Sequence, residues 1–192
     1  MAPAAILRDG HAQQAARDLL RTRITIALIL RMTATVRLQR EPFDAAREVA
    51  ALTHGLTDIG AVVTFTGICR GAEAGAPLLA MTLEHYPGMA EAEVRRHVTA
   101  AQERWPLLGV TVVHRFGRLS PGDEIVLVVT AAAHRHDAFA AAEFLMDYLK
   151  TRAPFWKQVE SARGKAWVDA KQADNALAER WKEEPSRREA AE

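Results

Sequence analysis

The chain has 192 residues, of which 49% are hydrophobic and 26% charged, as is ordinary for one soluble globular domain. Its 25 lysines and arginines against 24 aspartates and glutamates give a formal net charge of +1, which argues against a general polyanion binder. The single cysteine, Cys69, excludes an intramolecular disulfide framework and a multi-cysteine zinc site, and it suits a reducing cytoplasm.

The two ends of the chain differ in composition from its middle. Residues 1–31 are rich in alanine and arginine, and Met32 then starts a segment that is typical of a protein's own beginning. We therefore interpret 1–31 as an N-terminal extension that need not be native, and we expect the domain to span 32–181. The apolar run at 24–30 is far shorter than the roughly 20 residues of a membrane-spanning helix. The charged residues 182–192 predict a disordered tail.

Between these ends, strand and helix patterns alternate along the chain. Strand patterns, rich in β-branched residues, occur at 33–39, 60–69, 78–86, 109–117, 124–133, 154–160 and 165–170. Helical patterns occur at 43–54, 87–105, 136–152 and 173–181. Strands that pair through short turns, such as the Pro121-Gly122 turn, and that are interleaved with helices predict an α+β domain rather than a doubly wound parallel sheet.

The stretch MDYLKTRAPFWK, residues 146–157, is unusually dense in basic and aromatic side chains. Lys150 is expected in the last turn of its helix, where the helix dipole favours a cation. Lys157 follows Pro154, which ends the helix, so it is expected on an extended segment that turns back. The two ammonium groups can therefore converge on one cleft, where they could bind an anion or take part in proton transfer or nucleophilic chemistry.

Three more basic side chains lie where predicted elements begin or end. Arg70 ends a strand beside a glycine-rich loop, a position that suits phosphate binding. His134 and Arg135 lie where a strand leads into a helix, whose first backbone N–H groups favour anions. His136 completes a His-x-His spacing, but no further ligands accompany it, so we expect no metal site. This set predicts a small phosphorylated or carboxylated ligand without naming a reaction.

The remaining reactive side chains have structural interpretations. No base is apparent for Cys69, so we expect it to be a small packed residue rather than a nucleophile. His85 and His114 are expected to be structural histidines within strands. No GxxxxGK[ST] loop, GxGxxG fingerprint or GxSxG elbow occurs, which excludes several large enzyme classes.

Two long motifs, MTLEHYPGM at 81–89 and MDYLKTRAPFWK at 146–157, accompany several shorter ones in a fixed order. The shorter motifs are GAVVTFTG followed by Arg70, RWP, HRFGRLSPGDEIV, AAHR and WVDA. Together they resemble the large, catalytic subunit of molybdopterin synthase, the MoaE family, over about residues 36–181. The resemblance implies an α/β hammerhead fold with an additional small antiparallel β subdomain, and a homodimer.

The resemblance also implies a sulfurtransferase of molybdenum cofactor biosynthesis. Each large subunit would bind one small ubiquitin-like sulfur carrier, which makes a heterotetramer, and the carrier's thiocarboxylated Gly-Gly end would enter the large subunit's pocket. Two sulfurs would pass in succession to cyclic pyranopterin monophosphate (precursor Z) and form the dithiolene of molybdopterin. The resemblance implies neither a cofactor nor a metal for this step, and it suggests a cytoplasmic location.

The family pattern assigns roles to residues of this chain. Lys150 and Lys157 match the catalytic pair, with Lys150 nearest the carrier's terminal glycine and Lys157 assisting substrate binding and proton movement. The His134–Arg135 pair can come from the other protomer of the dimer. The residues implied in substrate binding are Arg70, His134, Arg135, Phe65, Met146 and Lys171. Lower-ranked supports for the lysines are Thr151, Arg152 and Phe155.

The chain departs from the family pattern at several positions. Lys171 stands where arginine is frequent, which weakens a bidentate phosphate contact. Gln158-Val159 follows Lys157, where a basic residue and then glutamate are common. Glu160 comes one position late, and strand alternation predicts that it faces the opposite side from a residue at 159. The loop at 71–77 is small and apolar, without the polar residues often seen there.

Two other functions are compatible with parts of this pattern. One is a non-catalytic phosphate-ligand binding protein or an inactive paralogous subunit, which full sulfur transfer by a Lys150→Ala variant would favour. The other is a nucleic-acid-binding protein, which the balanced net charge disfavours.

Overall fold

The computed structural model describes residues 33–73, 75–151, 153–168 and 180–182. The predicted N-terminal extension, Arg152, Lys171, most of the predicted closing helix and the tail beyond residue 182 lie outside these ranges. No helix in the described ranges is long and apolar enough to cross a membrane.

Every strand and helix predicted between residues 33 and 168 is present, with boundaries that differ by a few residues. The strands are β1 (Thr33–Gln39), β2 (Ala61–Ile68), β3 (Ala72–Glu73), β4 (Ala76–Pro77), β5 (Ala80–His85), β6 (Leu107–Arg115), β7 (Gly117–Leu119), β8 (Glu124–Ala132), β9 (Phe155–Ser161) and β10 (Gly164–Val168). The helices are α1 (Ala45–Thr53), α2 (Met89–Arg104) and α3 (Arg135–Thr151), and Arg180–Lys182 form a short 3₁₀ turn. The short strands β3, β4 and β7 had no signal in the sequence analysis.

The central sheet has the strand order β1-β6-β8-β2, in which β1 and β6 are parallel and the other neighbours antiparallel. Successive residues of β6 and β8 point to opposite faces, and both faces are buried. Val112 and Val128 belong to the core that includes residues of α2 and α3. Val113 and Val129 belong to a second core, with Leu52 of α1. Coverage on both faces explains why these two strands are almost continuously apolar.

The second sheet is small and antiparallel, with the order β10-β9-β5-β7. It confirms the additional β subdomain implied by the resemblance, and the two sheets with their helices confirm the α+β class. Cys69 is 1% exposed and packs with Met81, Leu83 and Leu119 under this sheet. The prediction that Cys69 is a packed residue is therefore confirmed.

The junction of α3 and β9 connects the two sheets and sets the position of the motif at 146–157. Helix α3 contacts the central sheet and ends at Thr151. The Ala153 N–H still donates to the Tyr148 carbonyl at 3.2 Å, and Pro154 then leads into β9 of the second sheet. Lys150 thus lies in the last turn of α3 and Lys157 is the third residue of β9, as predicted.

Candidate active site

A cleft of about 650 Å³ lies between the two sheets and the C-terminal end of α3. We call it the basic cleft, because three cationic side chains of the described residues line it: Arg70, Lys150 and Lys157. Its apolar lining includes Phe65 and Met146. Five of the eight predicted site residues therefore meet in one place, including both lysines from different secondary-structure elements.

The end of α3 that carries Lys150 is held by contacts from the C-terminal segment. Asp147 is 8% exposed, and its Oδ2 accepts hydrogen bonds of 2.8 Å from both Arg180 and the Trp181 indole N–H. The Trp181 ring packs edge-on against Phe144 at 5.5 Å between centroids. These contacts stabilise the last turns of α3, so Lys150 projects from a fixed helix end. The sequence pattern predicted only a closing helix here, and nothing in it indicated this anchor.

Glu73 neutralises part of the positive charge in the basic cleft. Its Oε2 lies 3.1 Å from Lys157 Nζ and 3.2 Å from an Arg70 guanidinium nitrogen, and its side chain is 11% exposed. The loop at 71–77 was expected to be small and apolar, so the role of Glu73 in it was not predicted. The sequence did offer one signal for it, because Glu73 comes three positions after the candidate Arg70 and could pair with it.

His114 forms part of the cleft's lining as a neutral group. Its ring stacks on Phe155, with centroids 4.0 Å apart and an interplanar angle of 11°. Its Nδ1 donates to the Arg115 carbonyl at 2.8 Å. Burial is the main cause that lowers the pKa of His114 to about 4, so the ring is uncharged near neutral pH. His85 and His114 lie within strands as predicted, but the contact of His114 with the cleft was not foreseen.

Cys69 precedes Arg70 but does not line the cleft. Burial, followed by the nearby Asp123 carboxylate, raises the pKa of its thiol. A protonated thiol packed in a core is a poor nucleophile, so the structure gives Cys69 no catalytic role.

His134 and Arg135 are not brought to the basic cleft of their own chain. They lie at the beginning of α3, are exposed, and do not line the cleft. Arg135 and Lys150 are fifteen positions apart on α3, which is about 22 Å along an α-helix. Their assignment to substrate binding stays a prediction and requires a second chain. Lys171 also stays a prediction, since it lies outside the described residues.

Glu160 does not replace the glutamate that the family pattern places near Lys157. Its carboxylate is bonded to Arg118 of β7, and it does not line the cleft. Within the described part of the chain, no group of three His, Cys, Asp or Glu side chains is placed to hold a metal ion.

The chemistry available in the basic cleft follows from this arrangement. Arg70 can bind an oxyanion with a planar fork of donors, and the two lysines can stabilise charge that develops on a reacting group. The apolar surfaces of Phe65 and Met146 can contact a flat ring system. The cleft therefore suits an organic phosphate or carboxylate with an aromatic or heterocyclic body.

Known proteins that are similar to this chain match it over most of its length. A family model described as MoaE protein matches residues 38–152. A molybdopterin synthase catalytic subunit from Mesorhizobium japonicum is 59% identical over 153 residues, which are 79% of this chain and 95% of that protein. Another from Rhizobium meliloti is 59% identical over 149 residues, 77% of this chain and 95% of that protein. A solved MoaE protein from Burkholderia ambifaria superposes with a TM-score of 0.68 at 48% identity, over 79% of this chain and 100% of that one.

Proposed function

This chain belongs to the MoaE protein family, and from that premise we propose that its basic cleft transfers sulfur in the manner of a molybdopterin synthase catalytic subunit. The activity belongs to molybdenum cofactor biosynthesis. The substrate is cyclic pyranopterin monophosphate, and the product carries the dithiolene of molybdopterin. The observation that supports this most is the meeting of Lys150, Lys157 and Arg70 in one cleft.

The name of the relatives, catalytic subunit, implies a second subunit. That partner is a small ubiquitin-like carrier, which brings sulfur as a thiocarboxylate on its C-terminal glycine. The cleft must therefore admit an extended chain end beside the substrate. A biosynthetic step of this kind also fits a cytoplasmic location, which we include in the proposal.

Lys150 is assigned to the carrier's terminal glycine. Each transfer forms a carbon–sulfur bond on the substrate in place of a carbon–oxygen bond, and the displaced oxygen leaves with a proton. Water then breaks the carbon–sulfur bond of the carrier, whose terminal carbon leaves as a carboxylate. A cation beside the thiocarboxylate stabilises the negative charge that develops on this group. Lys150 is exposed at the end of a well-anchored helix, which suits contact with an incoming chain end.

Lys157 and Arg70 are assigned to the pterin substrate. Both already bind one carboxylate oxygen, that of Glu73, so their donors point at a common anion position. Phe65 and Met146 provide apolar contact for the ring system. Lys157 also assists proton movement as sulfur replaces oxygen.

The complete site is proposed to use two chains of a homodimer. His134 and Arg135 belong to the implied substrate-binding set but lie about 22 Å along the helix from Lys150. A second protomer can supply this pair to the cleft, and two large subunits with two carriers then make a heterotetramer.

Reconstitution tests this function directly. Purified protein is mixed with a thiocarboxylated small carrier and cyclic pyranopterin monophosphate, and molybdopterin is measured as its fluorescent oxidation product. We expect product from the wild-type chain and none when the carrier ends in an ordinary carboxylate. A folded wild-type protein that binds the carrier but makes no product would instead identify an inactive paralogous subunit.

A further inference from the structure

Glu73 holds two of the cations that the proposed function assigns to the substrate. One carboxylate oxygen, Oε2, accepts from Arg70 at 3.2 Å and from Lys157 at 3.1 Å. The Glu73 side chain is 11% exposed, whereas those of Lys157 and Arg70 are 27% and 70% exposed. An acidic oxygen is therefore placed between the two cations inside the cleft.

This geometry imitates a bound oxyanion. A phosphate oxygen that binds Arg70 and Lys157 together requires the same two donors that the Glu73 oxygen already uses. Two anions cannot share that position, since their like charges repel at short range. A phosphate ligand must consequently displace the Glu73 carboxylate before it can contact both cations.

Glu73 is attached to a short element that can release it without unfolding a sheet. It ends the two-residue strand β3, which forms a two-stranded sheet with the two-residue strand β4. The other elements of the cleft are longer: β9 has seven residues and α3 has 17. Because one oxygen of Glu73 makes both contacts, a movement of this one side chain would break the two together.

We propose that Glu73 is an internal anion that competes with the substrate's phosphate for Arg70 and Lys157, and so sets the affinity of the cleft for phosphate ligands. The inference rests on the proposed function only for the identity of the phosphate ligand. When a site is available for part of the time, the apparent affinity falls in proportion to that fraction. If Glu73 is paired about nine-tenths of the time, its removal strengthens phosphate binding about tenfold, equal to about 1.4 kcal/mol.

The carrier's chain end offers a control ligand of different chemistry. This chain end is assigned to Lys150. The ion pairs of Glu73 among the described residues are with Arg70 and Lys157, not with Lys150. A peptide that ends in Gly-Gly with a free carboxylate should therefore be insensitive to Glu73. If removal of Glu73 merely made the cleft more positive, both ligands would bind more tightly. If Glu73 competes at the phosphate position, only the phosphate ligand would.

The experiment is calorimetric titration of the full chain with inorganic pyrophosphate and, separately, with the Gly-Gly peptide. Glu73→Gln and Glu73→Ala are compared with wild type and with Glu91→Gln. The control removes the same charge and also frees an arginine, because Glu91 pairs with Arg95 at 2.7 Å on α2, away from the cleft. We expect about tenfold tighter pyrophosphate binding in both Glu73 variants, no change in the control, and peptide binding within twofold of wild type.

Unchanged or weaker pyrophosphate binding in the folded Glu73 variants would overturn the inference, because Glu73 would then support the cations instead of competing. Tighter peptide binding with unchanged pyrophosphate binding would also overturn it. The titration needs neither carrier activity nor product formation, so it separates the two proposals. If the wild-type chain shows no synthase activity but the Glu73 variants bind pyrophosphate more tightly, only the proposed function is refuted. If the wild-type chain is active but the Glu73 variants bind pyrophosphate no more tightly, only this inference is refuted.

Discussion

The two ends of helix α3 carry two halves of one predicted basic set, in very different surroundings. At the C-terminal end, Lys150 lines a cleft together with Arg70 and Lys157. At the N-terminal end, His134 and Arg135 are exposed and line no part of that cleft. Within the described residues, one chain thus brings together only the three cations at the C-terminal end of α3. In the proposed function, the pair at the N-terminal end serves the cleft of a second chain.

The largest expected effect is at the C-terminal end. Replacing Lys150 by alanine should lower the rate of molybdopterin formation on the order of 10²–10³-fold, since it removes a cation aimed at the charge that develops during transfer. Single-turnover assays with excess carrier measure this rate. Lys165→Ala is the matched control, because Lys165 is exposed on β10 and does not line the cleft. Equal rates for both variants would remove Lys150 from the catalytic role.

The contacts of Trp181 at the C-terminal end of α3 predict a loss of stability when this residue is truncated. Trp181 is 7% exposed and packs against Phe144 and Trp105, so Trp181→Ala should lower the free energy of unfolding by about 3 kcal/mol. Urea unfolding followed by circular dichroism measures it. Trp167→Ala, which truncates an indole that is 56% exposed, should change the same quantity by less than about 0.5 kcal/mol. Similar losses in the two variants would show that the C-terminal segment does not anchor α3.

The buried, neutral His114 in the cleft lining predicts that the stability of the folded chain depends on pH. The pKa of His114 is about 4 in the folded chain and near its ordinary 6.5 when unfolded, so the unfolded chain binds more protons between these values. The stabilisation is complete above pH 6.5 and is lost as the pH falls towards 4. Between pH 7 and pH 5 the free energy of unfolding should fall by about 2 kcal/mol from this residue.

His114→Phe keeps a ring to stack on Phe155 and removes the titration, so this variant should lack that part of the pH dependence. His54→Phe, at an exposed position, should show the same pH dependence of unfolding free energy as wild type. If wild type and His114→Phe lose stability equally on acidification, another group causes the pH dependence.

Local patterns were sufficient to predict much of the fold and part of the site. β-branched runs located the strands, and Pro154 predicted the reversal that brings Lys157 back towards Lys150. What stayed hidden depends on contacts distant in sequence. Trp181 reaches Asp147 across 34 positions, and Glu73 meets Lys157 from a separate sheet. Neither contact leaves a periodic signal, because each joins an isolated side chain to a site assembled only in the folded chain.

The position of His134 and Arg135 shows a different limit. Their location at a strand-to-helix junction was correctly predicted, but sequence spacing does not reveal which chain's cleft they serve. A 17-residue helix places its ends too far apart for one small ligand, so a shared role requires an additional protomer.

A mixing experiment tests this shared site most directly. Lys150→Ala and Arg135→Ala proteins, each of low activity alone, are combined under conditions in which subunits exchange, and molybdopterin formation is measured. A mixed dimer contains one site with Lys150 from one chain and Arg135 from the other, so random exchange should restore roughly a quarter of the wild-type activity. No gain above the parent proteins, with mixed dimers demonstrated by mass spectrometry, would contradict a site shared between the two ends of α3.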